Sequence, residues 1–489
     1  MKIRFQPHPA RAVPASPHTA ILLLATLMFL LSACNRQDKA GTGIAPAAVA
    51  PTVAPAAAPV TPLPATTAQA ALARLNAPVA PLSAVAEIGK KIFYDKSLSA
   101  SGKLSCASCH NPDNAHAPAN GLAVQLGGMH LQAQGGRAVP SLRYHEHAPA
   151  FSIGPDSKPD EDDKGALLQV AAAKVSPAAP AVAKATLQPA AAVQEVVPQG
   201  GFDWDGRASN LTDQAGGPLL AANEMANKSA AQLLAKLKAA PYASDMLQLF
   251  GPAVFTSSNL ALGEAYYALA LYQKEDRSFH PYDSKYDYYL AEKVQLSEQE
   301  MRGLKLFKDT KKGNCATCHS EKPSHNGRFP PVFTDYQFEA LAAPRNQAIL
   351  ANRDPRYVDL GMCGPWRKDM AEQLNYCGYF KTPTLRNVAT RQVYFHNGVF
   401  HSLEEVVRFY VERETQPEKW YSRDQHGKLK KYDDLPAAYH ANVDVTDAPF
   451  DSKPGAPPAL TDDEIKDVVA FLKTLNDGYR PEKKQIPGK

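Results

Sequence analysis

The sequence predicts a mostly α-helical protein built as two similar units with long loops, and three observations carry that expectation. Two Cys-x-x-Cys-His motifs, Cys106-Ala-Ser-Cys109-His110 and Cys315-Ala-Thr-Cys318-His319, stand about two hundred residues apart. Each follows a similar short segment, Gly89-Lys90-Lys91-Ile92-Phe93 or Gly303-Leu304-Lys305-Leu306-Phe307. Three capping-box patterns open apolar-periodic runs, at Ser297-x-x-Glu300, Ser402-x-x-Glu405 and Thr461-x-x-Glu464. Residues 230–249 and 259–274 also read as amphipathic helices, and no sustained apolar/polar alternation calls for a large sheet.

The chain of 489 residues is long enough for two cores. Its net charge of +4, from 53 basic and 49 acidic residues, is too small and too evenly spread to argue for nucleic acid. At the amino terminus Lys2, Arg4 and Arg11 precede an apolar run from Ala20 to Leu31, the pattern of an export signal. The run closes on Leu31-Ser32-Ala33-Cys34, which resembles the lipobox of bacterial lipoproteins. Residues 1–34 are therefore expected to be a lipoprotein signal peptide, leaving a lipid-modified Cys34 and a periplasmic protein anchored to a membrane. Residues 35–80 are rich in Ala, Pro and Thr and read as a linker; about 155–198 reads as an insertion loop.

The seven cysteines partition into Cys34, the two motif pairs, and Cys363 with Cys377. In an oxidising compartment that last pair can close a loop of about fifteen residues, worth roughly 3 kcal/mol.

A Cys-x-x-Cys-His turn offers two thiols for thioether links to haem vinyls and places the next residue beneath the iron as proximal ligand. Read as zinc or dithiol redox sites, the motifs would need further thiol or imidazole ligands close by, or a thioredoxin-like setting. The fold class is thus mostly α, two cytochrome c-like haem domains with long loops: an N-terminal domain over 81–285 and a C-terminal one over 286–489, with two covalent haem c groups and His110 and His319 as axial ligands.

Further motifs carry chemistry beyond attachment. Trp204-Asp205-Gly206-Arg207-Ala208 is followed by Gln214, Pro218 and Glu224-Met225; later come Lys381-Thr382-Pro383-Thr384-Leu385-Arg386-Asn387 and Tyr394-Phe395-His396-Asn397-Gly398. With the two haem motifs, this order resembles the bacterial di-haem cytochrome c peroxidase and MauG family over about residues 84–480. The resemblance implies a peroxide-reactive haem at Cys106 and Cys109, with Gln214 and Glu224 in its distal pocket. It makes Trp204 an electron bridge and the haem at Cys315 and Cys318 the electron-transfer site.

It also implies a small c-type cytochrome or cupredoxin as electron donor, and it leaves room for a homodimer and for a calcium ion between the domains. The calcium pattern departs from the family: Ala138 stands two residues before Pro140 where relatives have Asn, and the carbonyl donors would be those of Arg391 and Val393. A distal ligand to the first iron falls to His130, with His116 as competitor.

At the second iron the position that holds Met in many relatives and Tyr in MauG falls on Tyr410; a methionine could come only from Met362 or Met370. Tyr410 also belongs to an apolar helical stripe with Leu403, Val406 and Val407, so a core role stays open. A phenolate there favours ferric iron and a comparatively low potential. Three activities fit: a peroxidase reducing hydrogen peroxide to water, a MauG-like oxidase spending stored oxidising equivalents on a protein or other large substrate, and a non-catalytic di-haem electron carrier or redox sensor.

The paired motifs predict that denatured protein retains two haems per chain, each through two thioethers. Intact mass spectrometry finding one haem, or none after acid-acetone extraction, contradicts the assignment.

Overall fold

The computed structural model describes residues 67–155, 196–323 and 328–482, all within one compact unit spanning Pro62–Lys489. The segments read as a signal peptide with Cys34, most of the expected linker and most of the expected insertion loop lie outside the described residues. Among the described residues no helix is long and apolar enough to cross a membrane.

The first half opens with α1 (Thr67–Asn76) and α2 (Ala84–Tyr94), followed by the haem-motif turn α3 (Cys106–Cys109). Two short antiparallel pairs come next, β1 (Leu126–Gly127) with β2 (Ala133–Gln134), and β3 (Ser152–Pro155) with β4 (Val196–Gln199). Then follow α4 (Leu211–Leu220), α5 (Ala230–Ala239), α6 (Ala243–Phe250) and α7 (Ser258–Glu275). The second half contains α8 (Lys285–Leu290), α9 (Glu298–Lys308), the pair β5 (Phe338–Glu339) with β6 (Phe380–Lys381), α10 (Leu403–Glu412) and α11 (Asp462–Lys473). The fold is mostly helical, with strands only in two-stranded pairs among the described residues.

The run read as one helix over 230–249 is two helices, because Pro241 lacks the amide donor a continuous helix needs. The capping boxes at Ser297 and Thr461 form reciprocally. At Ser402 only half forms: its hydroxyl accepts from the Glu405 amide, while the Glu405 carboxylate turns to the His401 amide at 2.8 Å.

The repeated Gly-x-x-x-Phe segment has a physical basis in helix crossing. An ideal Cβ on Gly89 of α2 would fall 1.9 Å from the Ala268 carbonyl oxygen of α7, and one on Gly303 of α9 would fall 1.9 Å from that of Asp467 on α11. In both crossings the next obstacle is the Cβ four residues further along, Tyr272 or Phe471, at 2.9 Å. Each glycine lets two backbones touch, and the helix then buries its apolar face: Ile88, Ile92 and Phe93 beside Ala265, Leu269 and Tyr272, and Leu304 and Phe307 beside Val468, Phe471 and Leu472. Each large side chain so buried stabilises by about 1.5–3 kcal/mol.

The two main apolar cores draw on residues 88–279 and 286–475 respectively. Between them Arg386 and Asp287, both fully buried, form a bidentate pair at 2.8 Å. The guanidinium also lies 4.8 Å from the ring centroids of Tyr144 and Tyr282, which join Val332 in a small separate cluster. The Cys363–Cys377 disulfide is present, with Cα atoms 5.0 Å apart.

Gly89→Ala and Gly303→Ala should each destabilise the protein by about 1–3 kcal/mol, because the added methyl meets backbone that cannot rotate away. Chemical denaturation showing no loss for either variant would remove the close crossing.

Candidate functional site

Each Cys-x-x-Cys-His turn presents its histidine in one tautomer. His110 Nδ1 lies 3.2 Å from the His116 carbonyl, with the Pro140 carbonyl also facing the ring; His319 Nδ1 lies 3.0 Å from the Phe333 carbonyl, with that of Pro383 nearby. A carbonyl accepts, so Nδ1 carries the proton and the Nε2 lone pair is left for iron. Burial lowers both histidines to about 4, which keeps the rings in the neutral, ligating form.

Burial pushes the Cys106 and Cys109 thiols up to about 12 and about 11, the reverse of an activated redox or zinc-binding thiol. Among the described residues no group of three or more His, Cys, Asp or Glu is placed to hold a metal ion. Thiol pairs on a helical turn with an oriented neutral imidazole fit covalent haem.

Beside the first turn, Glu224 follows α4 in the chain. Its amide donates to the Ala221 carbonyl and its carbonyl accepts from Gly128 in the β1–β2 turn at 2.8 Å. Gly127 lets that turn come close, since a Cβ there would lie 2.4 Å from the Asn223 oxygen. Solvent reaches the Glu224 side chain, yet protein surrounds its carboxyl closely. Burial first, then the neighbouring Asp203 carboxylate, push it up to about 7, against the opposing pull of Arg207. The charge of Glu224 is felt at both Cys106 and Cys109.

Gln214 on α4 reaches Asp203 with a long 3.5 Å hydrogen bond, and Arg207 pairs with Asp203 at 3.2 Å. Glu224, Gln214, Asp203 and Arg207 thus form one polar cluster. Asp203 was not among the sequence expectations; its signal was its place directly before Trp204.

His130 is exposed in the turn between β1 and β2, three residues after the strand that meets Glu224. Its competitor His116 is excluded by placement. The His116 ring is buried, stacked on Phe279 at 3.8 Å and bonded to Ser278, and its carbonyl serves the proximal His110.

The second turn opens into an apolar cavity whose wall includes His319, Trp204, Leu403, Val406, Val407 and Tyr410. The whole α10 stripe faces this cavity. Burial raises the Tyr410 pKa, with smaller contributions from the Cys318 and Cys315 sulfurs. Met362 and Met370 instead pack with Phe338 in a separate cluster and are absent from the wall.

Trp204 is strapped in place. Its indole N–H donates to the Ala138 carbonyl at 2.7 Å, and its own carbonyl accepts from the Lys381 amide at 2.8 Å. The Lys381 ammonium is buried on the Gly201 carbonyl, and burial lowers its pKa to about 8 against the pull of Asp203 and Asp205. Next to Ala138, the Arg137 guanidinium lies between Asp205 and Asp359, with 2.7 Å contacts to each. Burial opposes the charge of Arg137, but the two carboxylates hold it firmly protonated. Sequence reasoning missed this group, since its members lie 68 and 222 residues apart.

The carbonyls expected to bind calcium are engaged by protein donors. That of Arg391 accepts from the Tyr394 hydroxyl at 2.8 Å; that of Val393 accepts from the Arg391 guanidinium, which also donates to Val139.

A family model described as di-haem cytochrome c peroxidase matches residues 83–295. The chain is 30% identical over 410 residues to the methylamine utilization protein MauG of Paracoccus denitrificans, covering 81% of this chain and 90% of that protein. It belongs to the di-haem cytochrome c peroxidase and MauG family. Family membership implies two c-type haems, in keeping with the two turns. The chain is also 26% identical to cytochrome c551 peroxidase of Nitrosomonas europaea, over 70% of this chain and 78% of that one. Among solved structures, the diheme peroxidase BthA from Burkholderia thailandensis superposes with a TM-score of 0.68 at 35% identity, covering 83% of this chain and 89% of that chain. Members of the family to which this chain is similar thus carry both peroxidase and MauG names.

Proposed function

We propose that the chain is a periplasmic di-haem peroxidase that reduces hydrogen peroxide to water with electrons from a small c-type cytochrome or cupredoxin. The observation that carries this reading is the polar cluster beside the first haem turn, with Glu224 poised near neutral pH. A plain electron carrier has no use for such a carboxyl. Cys106 and Cys109 would hold the peroxide-reactive haem on His110, and Cys315 and Cys318 the second on His319. When bound, the first haem would supply the iron that reacts with peroxide and the second would supply an electron.

The side chains then divide the remaining work. Glu224, as carboxylate, takes a proton from the inner peroxide oxygen and delivers it to the outer one, while the Gln214 amide orients the molecule. Burial, with the Asp203 carboxylate adding to it, keeps the Glu224 pKa high enough for the return transfer. Trp204, in the wall of the second cavity, relays electrons. The sum is H2O2 with two protons and two electrons giving two waters. His130 in the β1–β2 turn would serve as a ligand to the first haem.

A specific observation favours the MauG-like oxidase as second reading: Tyr410 lines the second cavity, whereas both methionines from the expected region are packed elsewhere. A His319/Tyr410 iron would favour the oxidised state and suit delivery of oxidising equivalents to a large substrate. The lipid anchor at Cys34, the domain limits at 285/286, a homodimer and calcium between the domains belong to the same proposal; the Arg391 and Val393 carbonyls each accept a hydrogen bond and keep a second lone pair.

Glu224→Gln should keep both haems and slow peroxide turnover by about two to four orders of magnitude. In the parent protein the rate should fall with acidification below about pH 7, because the base form of a carboxyl raised to about 7 is lost there. A flat profile between pH 5 and 8 in stopped-flow assays, or full turnover in the variant, would leave Glu224 a surface residue.

Anaerobic peroxide titration followed by optical and electron paramagnetic resonance spectra separates the three activities, since a carrier stays inert. Near-infrared absorption of methionine-ligated ferric haem that survives Tyr410→Phe would refute the tyrosine ligand.

A further inference from the structure

The chain has three tryptophans. Trp204 lies in the wall of the second cavity, and Trp420 packs on Phe400 and Phe409. Trp366 differs: 39% of it is exposed, so it presents an indole to solvent. Its ring lies beside the Tyr357 phenol.

Two short bridges connect Trp366 to Trp204. On the first, the indole lies directly on the backbone of Gly136, where an ideal Cβ would fall 2.3 Å from Trp366 Cζ2. From Gly136 the chain runs through Arg137 to Ala138, whose carbonyl accepts from the Trp204 indole at 2.7 Å. Two residues span at most about 7 Å. On the second, Arg367 follows Trp366 directly, and its guanidinium donates to the Asp205 carbonyl at 2.8 Å, one residue from Trp204. Arg367 is itself held over the Phe151 ring at 3.8 Å, and the Cys363–Cys377 disulfide closes the loop that carries both residues. An exposed indole and the Trp204 indole are therefore joined by few bonds and contacts.

Indole is among the most readily oxidised side chains. We infer that Trp366 is the surface terminus of the electron path, where a one-electron donor too large to enter the haem clefts, such as a small redox protein, gives up its electron. This rests on the peroxide-reducing reading above. Each step balances: Trp366 loses one electron to Trp204 and regains one from the donor, which is oxidised by one electron. Two such transfers, with two protons from solvent, reduce one hydrogen peroxide to two waters.

Two measurements on the haem-loaded, full-length protein test it. After peroxide without donor, peptide mapping should find added oxygen on Trp366, and the mark should fall at least about tenfold in Trp204→Phe protein of equal haem content. With reduced cytochrome c as the probe donor, Trp366→Phe should lower the second-order rate by at least about tenfold, whereas Trp366→Tyr, also aromatic but oxidisable, should recover most of it. A purely packing role treats the two substitutions alike. An unmarked Trp366 while peroxide is consumed, a mark undiminished by Trp204→Phe, or equal rates in the Phe and Tyr variants overturns the inference alone. Failure of the parent protein to consume peroxide overturns it together with the peroxidase reading.

Discussion

The buried guanidinium of Arg137, held between Asp205 and Asp359, is the constraint on which the region between the haem turns depends. Its neighbours on either side do the positioning: Gly136 carries the Trp366 ring and Ala138 accepts from Trp204. Asp205 in turn sits in the loop that carries Trp204 and Arg207. A cation this deep is tolerable only with both carboxylates in place, and removing one partner of such a group typically costs about 3–5 kcal/mol, because the remaining charges stay buried. The same need for pairing that makes the group costly to assemble makes the loop geometry hard to deform.

The two halves begin from one plan and end in different chemistry. Gly89 and Gly303 create the same close helix crossing, and each following turn presents two thiols and a histidine bonded to a backbone carbonyl. What differs is the wall. Beside the first turn Glu224, Asp203, Arg207 and Gln214 bring charge and proton-carrying groups together. Over the second, Leu403, Val406 and Val407 bring a row of apolar side chains to a wall that also holds the phenols of Tyr394 and Tyr410. The two turns share one local plan, and the side chains around them differ.

Features that depend on neighbours in sequence were legible before any coordinates. The haem turns, the glycine-led segments, the caps at Ser297 and Thr461 and the Cys363–Cys377 pair all rest on short-range spacing or on elimination. The helix break before Tyr242 was also in the sequence, as Pro241, but the amphipathic pattern on both sides masked it.

Arg137 and Asp359 were not legible, because an exposed aspartate and one buried against an arginine two hundred residues away look the same in one dimension. The half-formed cap at Ser402 shows the same limit on a smaller scale, since Glu405 had two amides within reach and took the other. The partners of His116 and of the Arg391 and Val393 carbonyls likewise come from contacts that spacing does not reveal.

The antiparallel pairing of Ser152–Pro155 with Val196–Gln199 has a consequence of its own. Pro155 stands opposite Val196, so the two ends that flank residues 156–195 are fixed by four paired residues on each side. Closing a longer loop across fixed ends costs only about 0.6 kcal/mol for each doubling of its length. The site is therefore a natural port for variation: sequence can be gained, lost or exchanged there, by evolution or by splicing in a reporter domain, while the haem-bearing body keeps its register.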